Sequence, residues 1–187
     1  MTTEHASETN RPEVVDEVTL SVRPVDPARD AGTLWAWVTQ ERAAFWGLQD
    51  KDLDEVEAIY SYVDEQPHLA AYLVHVGGVP VALFQTYDPF VDEIGEHYDR
   101  RPGDLGLHLF LADDPARAGR TLQVMAFFID YLRRDPHVRR LVVEPDARNE
   151  KSVALVQRVG FALGPVVEEL PVSGGGTKRA QFAFLDL

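Results

Sequence analysis

The sequence predicts a mixed α/β fold of the α+β class, and three features predict it. Segments 69–76 and 79–87 are strand-like and flank Gly77-Gly78, the kind of two-residue turn that joins hairpin strands. Helical spacing appears in separate stretches, as with Leu122, Met125, Ala126, Ile129 and Leu132 within 121–133. From residue 105 onward the order is strand, turn, helix, strand, helix, strand, strand, so that helices and strands must share one core.

Each element follows from local signals. Residues 1–17 are rich in Glu, Thr, Ser and Asp without periodic apolar positions and are expected to form a flexible acidic tail; residues 18–187 are expected to form a single domain. Residues 18–22 alternate like a strand. Asp26-Pro27 then supplies an N-cap and a proline for the first helical position, opening a helix through Leu34, Trp35 and Val38. Segment 50–66 places Leu53, Val56, Ile59, Tyr60 and Val63 at helical spacing, and Pro67 closes it. After the hairpin, 88–104 carries Pro89 and Pro102 and reads as a loop over a site. The strand 105–111 follows, then the helix 121–133, whose last turn is expected to carry basic residues that complement the dipole. A short buried strand is expected at 140–143. Asn149 starts a helix through Val153, Val156 and Val159 that Gly160 ends. Segments 161–170 and 179–187 form the last strand pair around Gly174-Gly175-Gly176, which lacks the Gly-Lys-Ser/Thr of a phosphate-binding P-loop and reads as a hairpin loop.

Composition narrows the functional classes. With 31 acidic against 18 basic residues and a net charge of −13, the chain is not expected to bind nucleic acid, whose phosphates need a basic face. No apolar run approaches the roughly 18 residues of a membrane span, and no secretory signal is visible, so no membrane partner is expected and the cytoplasm is the expected compartment. There are no cysteines, and His68, His75 and His97 lack metal-ligand spacing, so no metal is expected.

One position stands out chemically. His108 interrupts the apolar run Gly106-Leu-His-Leu-Phe-Leu111, just before a glycine-bearing turn that opens a helix. Histidine titrates near neutral pH, so at a strand end it is either a hydrogen-bonded core residue or a proton acceptor in catalysis.

The order of central strand, turn at 117–121, helix, second strand, Asn149 and Gly160-Phe161 resembles the GCN5-related N-acetyltransferase (GNAT) superfamily across nearly the whole chain from Val18. The resemblance implies a central twisted mixed sheet of about seven strands flanked by helices, with two strands splayed to admit an acyl-CoA. Its turn would aim backbone N–H groups at the coenzyme A pyrophosphate. That assigns donor binding to Leu109, Phe110, Leu111, Arg117, Gly119, Arg120, Thr121, Asn149 and Ser152. The family's Gln/Arg-x-x-Gly-x-Gly/Ala is here Ala116, Gly119 and Thr121, of which only the middle glycine fits. Val156 stands where many members carry a tyrosine that protonates the leaving thiolate.

A narrower resemblance, to siderophore-type acyltransferases, rests on several segments. They are Trp37 with Ala44-Phe45-Trp46-Gly47, Tyr87-Asp88-Pro89, His97-Tyr98-Asp99, Arg101-Pro102-Gly103-Asp104 with Gly106-Leu107-His108, and Val143-Glu144-Pro145-Asp146 before Asn149. It implies acylation, with acetyl-CoA or another acyl-CoA as donor, of the terminal amine or hydroxylamine of a lysine, ornithine or diamine-type acceptor in hydroxamate siderophore assembly, by a monomer or homodimer. His108 and Asp146 would be the acid/base pair. An amine attacking a thioester must shed a proton, which His108 would accept while a carboxylate orients the ring. On sequence alone Asp146 reads more readily as a helix-capping or turn carboxylate in Pro-Asp-Ala-Arg-Asn, and Glu144, on the same strand face as Val142, is the rival partner. Phe45, Trp46, Tyr87 and Tyr98 are candidates for an acceptor wall, with Asp88 and Asp99 for the acceptor's cationic end. Two other functions fit the chain. One is an aminoglycoside 6'-N-acetyltransferase, although those enzymes carry an aspartate where His108 stands; the other is a non-catalytic acyl-CoA-binding module.

Overall fold

The computed structural model describes residues 18–172 and 175–187; the expected acidic tail at 1–17 and Gly174 of the glycine loop lie outside the described residues. Seven strands form one sheet. They are β1 (Leu20–Pro24), β2 (Leu69–Val76), β3 (Val79–Tyr87), β4 (Asp104–Leu111), β5 (Arg140–Val143), β6 (Ala162–Pro171) and β7 (Thr177–Asp186), in the order β1-β2-β3-β4-β5-β7-β6. Every pairing is antiparallel except β4 with β5. Among the described residues four α-helices accompany the sheet: α1 (Pro27–Val38), α2 (Leu53–Glu65), α3 (Thr121–Leu132) and α4 (Glu150–Arg158).

Local chemistry explains the helix ends. Asp26 accepts the Arg29 N–H ahead of Pro27, and Asp52 forms a reciprocal capping box with Glu55, so the second helix starts at Leu53 rather than at residue 50. Asn149 accepts the Ser152 N–H to start α4. The expected basic last turn of α3 is absent: the helix ends at Leu132, and Arg133 is its C-cap. Within the expected loop 88–104, Glu93–His97 forms a 3₁₀ turn, and β4 already begins at Asp104.

Side-chain alternation sends successive strand residues to opposite faces. One face, under α3 and α4, buries Val74, Phe84, Leu107, Phe128, Leu141 and Val156, with Phe84 and Phe128 stacked 4.0 Å apart. The other, under α1 and α2, buries Leu34, Val38, Tyr60, Leu73, Leu83 and Phe110. A smaller cluster joins Tyr87, Val142, Leu170, Ala180 and Phe182.

The β4–β5 pair is short and asymmetric. Only Asp104, Leu105 and Gly106 pair with Arg140, Leu141 and Val142, and β4 then continues to Leu111 without a β5 partner. Its closed end is fastened by Arg140, which donates two 2.7 Å hydrogen bonds to the buried Asp104 carboxylate; the Tyr98 hydroxyl adds a third at 3.1 Å. Gly106 lies at the last paired position because the Tyr87 ring crosses directly over it. A Cβ there would sit 2.0 Å from Tyr87 Cζ. Gly106→Ala is therefore expected to lower stability by at least about 2 kcal/mol through overpacking, read as a fall in the urea midpoint with unchanged m-value.

Candidate active site

The site lies where β4 and β5 part. His108 is two residues beyond the last paired residue of β4, and Glu144 is the first residue after β5. Gly106, His108 and Phe110 share the α1/α2 face by alternation, while Val142 and Glu144 share the corresponding face of the β5 line. Across the gap the His108 Nε2 is hydrogen-bonded to Glu144 Oε1. The imidazole is 36% exposed and the carboxylate fully buried, so the pair reaches from the interior to solvent.

The carboxylate is held on every side. The Tyr87 hydroxyl donates 2.9 Å to Glu144 Oε2, and Lys178 Nζ, from β7, approaches Oε1 at 3.5 Å. Burial pushes the Glu144 pKa up, but the His108 charge and hydrogen bond, the Lys178 charge and the Tyr87 hydroxyl outweigh it and hold the group at about 2. Burial and the neighbouring carboxylate keep the Tyr87 phenol well above its ordinary value, so it remains a donor. With Nε2 engaged by Glu144, Nδ1 is the ring nitrogen left to take a proton.

Asp146 does not pair with His108. The chain turns at Pro145, and the Asp146 carboxylate accepts the Arg148 backbone N–H at 2.9 Å and the Arg148 guanidinium at 2.9 and 2.7 Å. It organises the turn before α4, and Glu144 takes the place facing the imidazole. Tyr98 is likewise no acceptor wall: its hydroxyl serves Asp104 and its ring packs on Phe182 and Phe184 at the closed end of β4–β5. Asp88 accepts the Phe90 N–H and lines a hollow with His68, Thr86 and Leu105 on the opposite face from His108. Asp99 is exposed, and its carbonyl accepts from Arg140. Tyr87 does reach the site, with its ring centroid 5.1 Å from that of His108, but its hydroxyl is committed to Glu144. Trp46 packs edge-on against Phe110, and the exposed Phe45 lies under the Arg148 guanidinium at 5.9 Å, so both flank the same face.

The open edge of β4 can receive an extended ligand. The Ala112 N–H bonds to Val81 on the β3 side, so alternation turns the backbone groups of Leu109 and Leu111 toward the gap, while Phe110 contributes its ring to the core. Beyond the strand, Arg117 donates to the Ala112 carbonyl and to Thr121 Oγ1, both at 2.6 Å. Gly119 has a positive φ of 72°, and the space beside its Cα is empty. Arg120 is the N-cap of α3 without a side-chain cap bond, while the Asn149 side chain accepts the Ser152 N–H at the start of α4. These features fit a phosphate-bearing ligand with a long slender arm. Among the described residues no group of three or more His, Asp or Glu could hold a metal ion, and no helix is long and apolar enough to cross a membrane.

Residues 26–169 match the family of acetyltransferase (GNAT) domains. The chain belongs to the GNAT family. The chain is 26% identical over 147 residues, 76% of its length, to an N(6)-hydroxylysine O-acetyltransferase of Escherichia coli, and spans 46% of that protein. It is 27% identical over 153 residues to an N-hydroxyputrescine acetyltransferase of Acinetobacter baumannii, covering 80% of this chain and 71% of that one. Its fold resembles the crystal structure of aminoglycoside acetyltransferase AAC(6')-Ib with coenzyme A, with a TM-score of 0.74 at 19% identity over 90% of this chain and 95% of that one.

Sequence reasoning missed Lys178 and Arg42 as neighbours of the site. Lys178 reaches it because β7 lies beside β5, an adjacency without local signal. Arg42 comes from the segment between α1 and α2 and bonds the Leu111 carbonyl at 2.9 Å.

The Glu144 pKa is depressed from 4.5 to about 2, so its contribution to stability is complete above pH 4.5 and is lost as pH falls toward 2. Urea titrations across that window are expected to show Glu144→Gln less stable than the unaltered protein at pH 6, with the difference shrinking as pH falls.

Proposed function

We propose that this GNAT acetyltransferase is an acyl-CoA-dependent N-acyltransferase of the cytoplasm. It acylates the terminal amine or hydroxylamine of a lysine, ornithine or diamine-type acceptor, as in hydroxamate siderophore assembly. The observation that carries the reading is the half-exposed His108, backed by the buried Glu144, at the point where β4 and β5 part. The two relatives named for hydroxylated lysine and hydroxylated putrescine support the acceptor class.

An acyl-CoA brings a thioester carbonyl. The acceptor nitrogen attacks it directly, and the new C–N bond forms as the C–S bond breaks. His108 Nδ1 takes the proton that the nitrogen sheds, while Glu144 keeps the opposite ring nitrogen engaged and stabilises the resulting imidazolium. The Leu109 N–H, turned toward the gap, bonds the carbonyl oxygen in this reading. Val156 is buried in the α3/α4 core and supplies no acid for the sulfur. A thiol pKa of about 8.5 lets sulfur leave as thiolate without one. Phe45 and Trp46 offer an apolar flank to an aliphatic acceptor chain.

The test is turnover with acetyl-CoA against hydroxylated and free lysine, ornithine, putrescine and cadaverine, with an aminoglycoside as a competing class. His108→Ala is expected to lower kcat by about 10²- to 10⁴-fold with donor affinity retained. Asp146→Asn is expected to stay within a few-fold of the unaltered enzyme. A folded His108→Ala with full turnover overturns the assignment, and preference for the aminoglycoside overturns the acceptor class.

A further inference from the structure

Two guanidinium groups meet at the far end of β4, and neither is in an ion pair among the described residues. Arg42 arrives from the segment between α1 and α2. It donates 2.9 Å to the Leu111 carbonyl and lies over the Phe110 ring at 5.4 Å. Arg117, on the 3₁₀ turn after β4, donates 2.6 Å to the next carbonyl, Ala112, and to Thr121 Oγ1. Burial first, and the nearby Arg42 charge second, push the Arg117 guanidinium below its usual value, while Asp113 and Asp114 offset part of this. Of those two carboxylates, Asp114 is occupied by the Ala116 N–H. In a chain with 31 acidic residues against 18 basic ones, two neighbouring arginines are thus held at the end of β4 by carbonyls and a hydroxyl.

Distance along the strand says what they face. From His108 to Ala112 is four residues, or about 13 Å of extended chain. A donor with its thioester at His108 and its arm along the open edge of β4 brings its phosphates out beyond Leu111. We infer that Arg42, together with Arg117, seats the diphosphate of the acyl-CoA donor, so that a residue outside the glycine-bearing turn helps to select a phosphorylated donor. This inference rests on the proposed use of an acyl-CoA. Guanidinium groups bind phosphate oxygens through paired, charge-assisted hydrogen bonds, which a neutral carbonyl cannot match. Arg42 exchanges its bond to Leu111 for the phosphate, which frees that carbonyl for the arm.

Calorimetric titration of the whole chain with coenzyme A, dephospho-coenzyme A and pantetheine tests this without turnover. Arg42→Ala and Arg117→Ala are each expected to weaken coenzyme A by about tenfold or more. The same loss is expected with dephospho-coenzyme A, which keeps the diphosphate, and less than twofold with pantetheine, which has no phosphate. Arg42→Lys should recover part of the loss, and the penalty should shrink at high salt. Equal weakening of coenzyme A and pantetheine by Arg42→Ala makes Arg42 a strut between the α1–α2 segment and β4 and overturns the inference. So does a penalty that vanishes with dephospho-coenzyme A. Failure of the unaltered protein to bind coenzyme A at all overturns the donor reading itself, a result separate from either.

Discussion

Three paired positions between β4 and β5 govern the molecule. Parallel pairing normally continues as far as both strands do, but here β5 stops at Val143, while β4 runs on to Leu111. Pro145 blocks smooth extension of β5, since it can donate no ladder hydrogen bond. At the other end the Asp104–Arg140 pair, with Tyr98 and the Arg140 contact to Phe184 at 4.7 Å, keeps the strands together. The sheet is thus fastened at one end of this pair and free at the other. Unpaired backbone groups inside a fold need partners; an edge left open between two layers of core is a place for a ligand to supply them.

A buried carboxylate at that opening is costly unless each oxygen is satisfied. Glu144 meets the demand with donors from three strands: Tyr87 from β3, His108 from β4 and Lys178 from β7. The dependence reaches back to a backbone position, because the Tyr87 ring can cross β4 only where Gly106 has no side chain. Gly106, Tyr87, Glu144 and His108 form a chain of requirements in which each residue type is set by the one before it. The imidazole ends that chain, partly exposed, with its Nε2 engaged by Glu144.

Much of this was legible in the sequence. The β2–β3 hairpin, the capped helices and the apolar strand carrying His108 have strong local signals, and all appear within a few residues of their expected bounds. The choice between Glu144 and Asp146 could not be made there. Alternation puts Glu144 on the same face as Val142, but whether Asp146 follows depends on how the chain leaves the strand at Pro145, and the Arg148 side chain that claims Asp146 lies only two residues away. Tyr87 and Asp88 show the same rule from the other side. Tyr87 ends β3 and Asp88 is the first residue beyond it, and the structure sends Tyr87 to Glu144 and Asp88 to the far side of the sheet. Lys178 was invisible because the order β5-β7-β6 is a tertiary fact.

The buried Val156 sharpens the chemistry of the proposed reaction. Val156 is buried and cannot itself protonate the leaving sulfur, so in the proposed reaction His108 answers for the proton of the acceptor nitrogen. An alkyl ammonium with a pKa near 10.4 is almost fully protonated at neutral pH and must lose one proton before attack and another after it. An oxygen on nitrogen withdraws electron density and leaves a hydroxylamine largely unprotonated, so that only the second proton needs a base. One imidazole supported by one carboxylate is matched to that smaller task. In the proposed reaction a hydroxylated acceptor therefore asks less of this base than a free amine does.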